Sequence, residues 1–237
     1  MKVPILFYHK INFPAPEAKE KSLYVNPKNF HCQMRYLKYR RYNPIYLDEL
    51  VKGMKGQIKL PPKPIVITFD DGYEDNYTIA FPTLKKFDFK ATIFLVTEDI
   101  GKISGVWTDS REKLKISLLN WNQIEAMSKG GINFQSHTHT HPVLTKLNRE
   151  QIKKELLLSR QIIEEKLQKP VNFLCYPMGD FDERVAGLVK DMGYLGAFTT
   201  KRGFVKDGDD LFTLKRIGIK YNKKIWNFVH ALTFKYR

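Results

Sequence analysis

One stretch limits the possible folds of this chain more than any other. Residues 65–71 read Ile-Val-Ile-Thr-Phe-Asp-Asp and are followed by Gly72. A run of apolar, β-branched residues that stops at two carboxylates and a glycine is typical of a buried strand whose carboxyl end opens into a turn. In open or barrel-shaped α/β proteins, ligands bind at such strand ends. The sequence therefore predicts a buried strand with a candidate site at Asp70 and Asp71.

Asp70 and Asp71 are neighbours in the chain, and neighbouring residues that leave a strand tend to point in different directions. The two carboxylates can therefore serve two purposes, one binding a cation and the other accepting a proton. A helix N-cap or a calcium-like turn is the alternative interpretation of an isolated Asp-Asp-Gly sequence. This stretch alone leaves both interpretations open.

A second polar cluster, residues 134–142, reads Phe-Gln-Ser-His-Thr-His-Thr-His-Pro and holds three of the chain's six histidines. Neutral imidazole is the commonest metal ligand. His137 and His141 can face one point if the residues between them form a helical turn, and His139 would then point elsewhere. Two imidazoles and one carboxylate leave positions open for water and substrate, as in catalytic zinc sites and the iron facial triad. A solvated polar loop is the alternative.

Three short motifs together resemble a known family. Residues 68–73 (Thr-Phe-Asp-Asp-Gly-Tyr), 137–142 (His-Thr-His-Thr-His-Pro) and 176–179 (Tyr-Pro-Met-Gly) occur in this order. They resemble the first three motifs of the polysaccharide deacetylases, also called carbohydrate esterase family 4 or the NodB-homology family. The resemblance extends over nearly the whole chain, and it is closest to the branch that contains the poly-N-acetylglucosamine deacetylases.

Strands alternate with helices in the sequence pattern, which predicts a mostly parallel sheet of about seven strands. The resemblance implies an α/β fold of the NodB-homology type, a distorted (β/α) barrel forming a single domain over residues 1–237. In the resembled branch the barrel is circularly permuted, so that the last strand of other members comes first. The predicted strands are 3–8, 65–71, 91–96, 132–135, 171–176, 195–199 and 215–219, and the predicted helices are 26–39, 47–55, 76–87, 121–128, one that starts after Asn148, 183–192 and 222–236. Residues 98–119 are predicted to form a long loop at the rim of the site.

The resemblance also implies a reaction, the removal of an acetyl group from an N-acetylated sugar. Asp71, His137 and His141 would bind one divalent metal ion. The ligand types favour zinc, with cobalt, nickel, manganese and iron as alternatives. The metal polarises the amide carbonyl and lowers the pKa of water. Asp70 would accept the proton of that water, and the backbone N–H of Tyr176 would help to stabilise the oxyanion.

Two departures from the family pattern affect the remaining roles. Most members carry a Leu-x-His motif near the C-terminus, which this chain lacks. We therefore predict that His9, at the end of the first strand, is the general acid; a strand-end histidine bonded to backbone is the alternative. Most members also have an arginine shortly before the position of Tyr176. We predict that Arg216 replaces it by reaching Asp70 from another strand, with a solvated surface arginine as the alternative.

Two aromatic side chains are candidates for substrate contact, and one histidine is expected not to bind the metal. Trp121 resembles the aromatic residue of the fourth family motif and would line the acetyl pocket, although core packing is equally consistent with the sequence. Tyr73 would line the sugar groove or lie buried under the strand end. His139 is expected outside the ligand set.

The net charge of the chain is +15, from 40 basic and 25 acidic residues. Such an excess favours an anionic partner: an acidic glycan, an anionic membrane surface or nucleic acid. No basic run with interleaved aromatic residues supports nucleic acid. The predicted helix over residues 222–236 is basic and amphipathic. It would therefore either lie on a membrane surface or pack its apolar face on the barrel.

Cysteine usage and the N-terminal residues give a weak indication of where in the cell the protein is located. Cys32 and Cys175 could form a disulfide, although Cys175 lies in an apolar run typical of a core. The first apolar run is interrupted at His9 and Lys10 and is too short for a signal peptide. No stretch approaches the roughly 20 apolar residues that span a bilayer. We therefore expect a protein that is cytoplasmic or peripheral to a membrane.

The leading hypothesis is a metal-dependent hydrolase that removes N-acetyl groups from a glycan containing N-acetylglucosamine. The candidate substrates are an exopolysaccharide, peptidoglycan and a lipid-linked sugar. The alternative is a barrel that retains the metal and binds glycan without turnover, because two of the family's usual residues are missing. A proton acceptor beside a metal ligand favours the enzyme.

Overall fold

The computed structural model describes residues 1–16, 18, 20–103, 116–220 and 225–233. In these residues strands alternate with helices, as the sequence predicts. The strands are β1 (Lys2–Val3), β2 (Ile5–Tyr8), β3 (Asn43–Pro44), β4 (Pro64–Phe69), β5 (Ala91–Leu95), β6 (Ile132–Ser136), β7 (Phe173–Cys175), β8 (Gly196–Arg202), β9 (Val205–Lys206) and β10 (Leu214–Gly218). The helices are α1 (Pro27–Tyr39), α2 (Leu47–Met54), α3 (Phe81–Phe87), α4 (Trp121–Lys129), α5 (Arg149–Leu167), α6 (Glu183–Asp191) and α7 (Ile225–Thr233).

Seven parallel strands of the described chain close into a barrel, in the order β2, β4, β5, β6, β7, β8 and β10. The first of them, β2, completes the closure. Its Leu6 lies opposite Ile217 of the last strand on one side and opposite Ile67 of β4 on the other. The short strand β3 adds to the outer edge of β4, and β1 forms an antiparallel pair with β9. The predicted (β/α) barrel is therefore confirmed.

Alternate residues of the barrel strands belong to two different cores. Ile5 and Val66 belong to a cluster that draws residues from most of the barrel strands and is completed by α2. Leu6 and Ile67 belong to a larger cluster between the strands and the surrounding helices. This is the period-2 alternation expected of strands that are buried on both faces. The same alternation directs residues two and four positions after Ile5 and Val66 towards the barrel interior.

Side-chain caps that the sequence supplies account for the start of several helices. Asn148 caps α5 through its side chain, which accepts from Gln151 N at 2.9 Å, while the Gln151 side chain accepts from Asn148 N at 2.9 Å. This reciprocal pairing is a capping box. Asn26 caps α1 by accepting from Lys28 N at 2.8 Å.

The structure corrects two predicted elements, and two others lie partly outside the described residues. The predicted first strand is interrupted at Pro4, which has no N–H for a ladder bond. The predicted helix over 76–87 is divided into a π-helical segment, Asn76–Ala80, and α3, with Pro82 in the first turn of α3. Of the predicted helix over 222–236, only α7 lies within the described residues. Much of the predicted 98–119 loop, residues 104–115, lies outside the described residues as well.

Both cysteines are free thiols, so the disulfide between Cys32 and Cys175 that the sequence left open is absent. None of the helices in the described part of the chain combines the length and the apolar character needed to cross a bilayer.

Candidate functional site

The carboxyl ends of the barrel strands surround a cavity of about 690 Å³. Strand alternation brings two of the predicted residues there, because His9 is in phase with Ile5 on β2 and Asp70 is in phase with Val66 on β4. Most of the predicted site residues line this one cavity: His9, Asp70, Asp71, Tyr73, His137, His141 and Tyr176. Of the candidates that the cavity lining does not include, Arg216 lies behind Asp70 and Trp121 lies elsewhere.

Arg216 and Asp70 form a two-armed ion pair inside the barrel. Nη1 and Nη2 of Arg216 donate to Oδ1 and Oδ2 of Asp70, both at 2.8 Å, and Arg216 Nε donates to the Thr199 carbonyl at 3.0 Å. Arg216 is fully buried and its guanidinium lies 4.3 Å from the ring centroid of Phe7. The alternative of a solvated surface arginine is therefore wrong, and the predicted contact between strands is confirmed.

The Arg216 guanidinium also controls the protonation of its partner. Burial alone would raise the pKa of Asp70, but the guanidinium and its hydrogen bonds hold the pKa below its ordinary value. Asp70 therefore remains ionised at neutral pH although it is 2% exposed. A bidentate pair also fixes the orientation of the carboxylate.

The backbone at the end of β4 separates the two neighbouring carboxylates. Asp70 still belongs to the sheet, since its N–H donates to the Tyr8 carbonyl at 2.9 Å. Asp71 then adopts a left-handed conformation with φ of 78°, and Gly72 follows with φ of 75°. A non-glycine residue rarely adopts this conformation, and such strain is concentrated at functional sites. The consequence is that Asp70 faces Arg216 whereas Asp71 faces the histidines.

Asp71, His137 and His141 lie together in the cavity wall. Oδ1 of Asp71 is 3.3 Å from His137 Nε2 and 3.8 Å from His141 Nε2. One ligand atom from each of the three lies within 4.8 Å of the others, and all three side chains are buried. Burial would raise the pKa of Asp71, but its contacts with the histidines reverse the shift and lower it well below its usual range.

The surroundings of His137 fit a metal ligand. Its Nδ1 lies 2.8 Å from the Cys175 carbonyl oxygen, which can only accept, so Nδ1 carries a hydrogen. In the neutral ring, Nε2 then presents a lone pair towards Asp71 Oδ1. Two acceptors that face each other in this way need a proton or a cation between them. A histidine whose second nitrogen donates to a backbone carbonyl is also the usual arrangement at metal sites.

The pKa values of the two histidines are displaced in opposite directions. Burial would lower the pKa of His137, but the Cys175 side chain and the Asp71 carboxylate raise it well above its ordinary value. Burial and the neighbouring His137 lower the pKa of His141 to about 4. His141 is therefore a neutral imidazole at pH 7, which is the form that binds metal ions.

The histidine loop does not form the helical turn that the sequence analysis required. Thr138 and His141 both adopt left-handed conformations, with φ of 68° and 57°. The loop is instead held by side chains: Thr138 Oγ1 accepts from His141 N at 3.1 Å, and Glu155 of α5 accepts from the N–H groups of His139 and Thr140. The prediction of a helical turn is wrong, although both histidines still face Asp71.

His139 lies outside the ligand set, as expected, with its Nδ1 2.9 Å from the Thr97 hydroxyl. His9 lines the cavity, and its backbone carbonyl, rather than its ring, accepts from Asn76 Nδ2 at 2.9 Å. Burial lowers the pKa of His9, against the opposing effect of the Asp71 and Asp70 carboxylates.

The remaining predicted residues differ in how well their positions fit their predicted roles. Tyr73 is fully buried and yet lines the cavity, so both interpretations of this residue hold in part. Tyr176 lines the cavity, but its backbone N–H donates to the Phe198 carbonyl at 3.0 Å. The predicted oxyanion donor is therefore already hydrogen-bonded within the sheet, and an oxyanion would have to share it.

Trp121 is the first residue of α4 and packs against the core. Its ring centroid lies 5.9 Å from Lys166 Nζ. Its position favours core packing over the acetyl pocket.

Four residues in or beside the cavity are not among the site residues that the sequence predicts. Glu155 holds the histidine loop, and Lys10, Arg202 and Lys220 contribute positive charge to the cavity lining. Glu155 flanks the apolar stripe of α5, and a helical position of this kind carries no sign of a loop partner. The three basic residues follow or end barrel strands, but only the order of the strands in the barrel brings them together.

Comparisons with known proteins agree with this geometry. Residues 57–197 match the family model described as polysaccharide deacetylase. The Bacillus subtilis protein YxkH is 30% identical over 218 residues, 92% of this chain and 71% of the relative. A poly-β-1,6-N-acetyl-D-glucosamine N-deacetylase of Staphylococcus epidermidis is 29% identical over 206 residues, 83% of this chain and 68% of the relative. The structure of the Streptococcus pyogenes deacetylase PplD in complex with acetate is similar with a TM-score of 0.86, at 27% identity and 98% coverage of each chain.

Proposed function

The chain belongs to the polysaccharide deacetylase family, and from this membership we propose that it hydrolyses the N-acetyl groups of N-acetylglucosamine units in a glycan with the help of a divalent metal ion. The observation that carries the proposal is the juxtaposition of the Asp71, His137 and His141 triad with the Asp70–Arg216 pair at one cavity. The substrate named for the Staphylococcus epidermidis relative supports N-acetylglucosamine as the sugar.

Asp71, His137 and His141 would hold the metal ion. A set of one carboxylate and two imidazoles suits zinc best, and cobalt, nickel, manganese and iron are alternatives. When bound, such an ion polarises the amide carbonyl and lowers the pKa of a water molecule. Three protein ligands leave positions for water and substrate, which distinguishes a catalytic site from a structural one.

Asp70 is the proposed general base. It lines the cavity beside Asp71 and is held ionised by Arg216, so it can accept the proton that water loses when it attacks the acetyl carbonyl. Arg216 touches neither cavity nor substrate in this scheme and acts by orienting the Asp70 carboxylate. Breakdown of the tetrahedral intermediate breaks the carbon–nitrogen bond and leaves acetate and a free amine.

His9 is the proposed general acid, since the departing nitrogen must gain a proton before it leaves as an amine. His9 directly follows β2 and Asp70 directly follows the neighbouring strand β4, and both side chains line the cavity. Tyr73 and Tyr176 are proposed to contact the sugar, since both line the same space.

We expect acetate release to require the metal ion, and we expect zinc binding to require both His137 and His141. Metal-stripped protein should release no acetate from N-acetylglucosamine oligomers or peptidoglycan, and zinc or cobalt should restore release. His137→Ala and His141→Ala should each weaken zinc affinity by at least about 100-fold, because each removes a ligand. Calorimetric titration with zinc measures the affinity, and wild-type protein with zinc at about 100 times its Kd should gain about 2.7 kcal/mol of stability.

The matched control for this test is His139→Ala, which removes a histidine of the same loop that faces Thr97 instead of Asp71. It should bind zinc and release acetate as the wild type does. Equal zinc affinity in all three variants would contradict the ligand assignment. Stoichiometric zinc binding with no acetate release from any glycan would instead favour a glycan-binding protein that retains its metal.

The role of His9 predicts a dependence on the leaving group. His9→Ala should lower kcat for an N-acetylated sugar by about 100-fold or more, because an amine nitrogen cannot leave without a proton. The loss for an acetyl ester of 4-nitrophenol should be at least about tenfold smaller, since a phenolate departs unprotonated. Initial rates with both substrates, together with the zinc content, measure the difference.

His230→Ala is the control for this variant, because His230 is an exposed histidine of α7. It should leave both rates unchanged. Equal losses with the amide and the ester in His9→Ala would show that His9 acts on folding or metal binding and not as an acid.

A further inference from the structure

Three cationic side chains line one side of the cavity. Arg202 is the last residue of β8, Lys220 follows β10 by two residues, and Lys10 follows β2 by two residues. Because β8, β10 and β2 are successive neighbours in the barrel, these side chains form one basic arc. Asp71 follows β4 and the histidine ligands follow β6, so the basic arc and the metal ligands come from different parts of the strand-end circle.

Two members of the basic arc are exposed. Neither Arg202 nor Lys220 forms an ion pair with a carboxylate among the residues that the structure describes. Lys10 differs, because it is buried with its Nζ 4.7 Å from the ring centroid of Tyr24 and 4.6 Å from that of Tyr73. Arg202 and Lys220 are therefore the members that can contact a ligand by charge.

Among the described residues, the cavity lining contains three acidic ones, and two of them already contact positively charged or imidazole side chains. Asp70 is paired with Arg216, and Asp71 lies against the two histidines. Glu20 is the other acidic residue of the described lining, against the three basic ones of the arc. A concave surface with an excess of one sign concentrates ligands of the opposite sign. An uncharged polymer of N-acetylglucosamine offers no partner for this excess.

We propose that the substrate presents an anionic group, a phosphate or a carboxylate, to Arg202 and Lys220 while its N-acetyl sugar lies at the metal ligands. This inference rests on the proposed function and narrows it to acidic N-acetylated glycans or sugar phosphates. Arg202 and Lys220 are thereby specificity-determining residues that bind the substrate beside the reacting sugar.

The test compares three substrates on zinc-loaded protein. They are an uncharged N-acetylglucosamine tetramer, a tetrasaccharide that alternates N-acetylglucosamine with a uronic acid, and N-acetylglucosamine joined through a phosphodiester to a simple alcohol. At about 50 mM salt, kcat/KM for at least one anionic substrate should exceed that of the tetramer by about tenfold or more. The advantage should diminish at about 500 mM salt, because salt screens exposed charges. The two anionic substrates distinguish carboxylate from phosphate recognition.

The variant Arg202→Gln/Lys220→Gln should reduce the ratio of anionic to neutral kcat/KM to about one, mainly through KM. The matched control is Lys55→Gln/Lys59→Gln, which removes two exposed lysines from the segment that leads into β4, at the opposite end of the barrel. This control should keep the full ratio. Thermal melting of both variants shows that they are folded, as expected for exposed positions.

A wild-type preference for the neutral tetramer, or a preference for anions that survives in Arg202→Gln/Lys220→Gln, would overturn the inference. A complete absence of acetate release would instead count against the proposed function. Calorimetric binding of the same three compounds to zinc-loaded Asp70→Asn protein tests the inference without turnover. Tighter binding of an anionic compound that is lost with Arg202 and Lys220 supports it, and equal binding of all three refutes it.

Discussion

Asp70→Asn is expected to lower kcat for acetate release by about 10²- to 10⁴-fold, the range typical of a lost general base. The amide has nearly the size of the carboxylate but cannot accept the proton of the attacking water. Zinc binding should persist, because the carboxylate proposed as a ligand is that of Asp71, whose Oδ1 lies 3.3 Å from His137 Nε2 and 3.8 Å from His141 Nε2. Initial rates of acetate release, measured beside the zinc content of each preparation, separate the two effects.

The same variant should also lose stability. Arg216 is fully buried, and the amide leaves its positive charge without a carboxylate. Breaking a buried pair from one side costs about 3–5 kcal/mol. Asp88→Asn is the matched control, since Asp88 is exposed and ends α3 away from the cavity. It should change neither rate nor stability, and a rate close to wild type in Asp70→Asn would exclude Asp70 as the base.

Arg216→Leu is expected to reduce the free energy of unfolding at pH 7 by about 3–5 kcal/mol, because it leaves a buried carboxylate unpaired. Its pH dependence should be opposite to that of the wild type. The Asp70 pKa is depressed in the native protein, so this group stabilises the fold above its unfolded pKa and the contribution is lost as the pH falls through the folded pKa. Without the guanidinium, burial raises the pKa of Asp70, and stability should increase as the pH is lowered from 7 towards 4.

Denaturant unfolding at several pH values measures this reversal, and the pH dependence of kcat gives an independent reading. The acid limb of activity should move to higher pH in Arg216→Leu, because a base with a raised pKa loses its ionised form sooner. Arg149→Leu is the control, since it breaks the exposed contact between Arg149 and Asp191 at 3.8 Å. Exposed pairs contribute about 0–1 kcal/mol. If Arg216→Leu lost a similarly small free energy of unfolding and its pH profile of kcat were unchanged, Arg216 would not be the residue that positions Asp70.

Much of the fold was predictable because alternation in a barrel strand follows directly from sequence. The apolar run before Asp70 and the shorter one before His9 each predict a strand, and a period of two then places both side chains on the inner face. The approach of Arg216 to Asp70 followed from a missing arginine in the third motif. Its burial did not follow, because burial depends on which strands become neighbours.

The predictions that failed concern irregular backbone. A spacing of four between His137 and His141 suggests a helical turn, but Thr138 and His141 adopt left-handed conformations that no periodicity reveals. This path is stabilised in part by hydrogen bonds to Glu155, which lies on α5 outside the loop. The N–H of Tyr176 was predicted to be available at a strand end, and only the observed register of β7 and β8 shows that Phe198 already accepts it.

The closure of the barrel by β2 and β10 has a consequence for synthesis. His9 follows the first barrel strand and Arg216 lies on the last, so nearly the whole barrel sequence separates the proposed acid from the residue that orients the proposed base. A chain emerging from the ribosome can pair β4 to β8 in order, but β2 meets β10 only after residues 214–218 have been translated. Contacts of such long sequence separation form late. A chain that ends before β10 would therefore contain His9, Asp70, Asp71, His137 and His141 but not Arg216, so the proposed base would lack the residue that orients it.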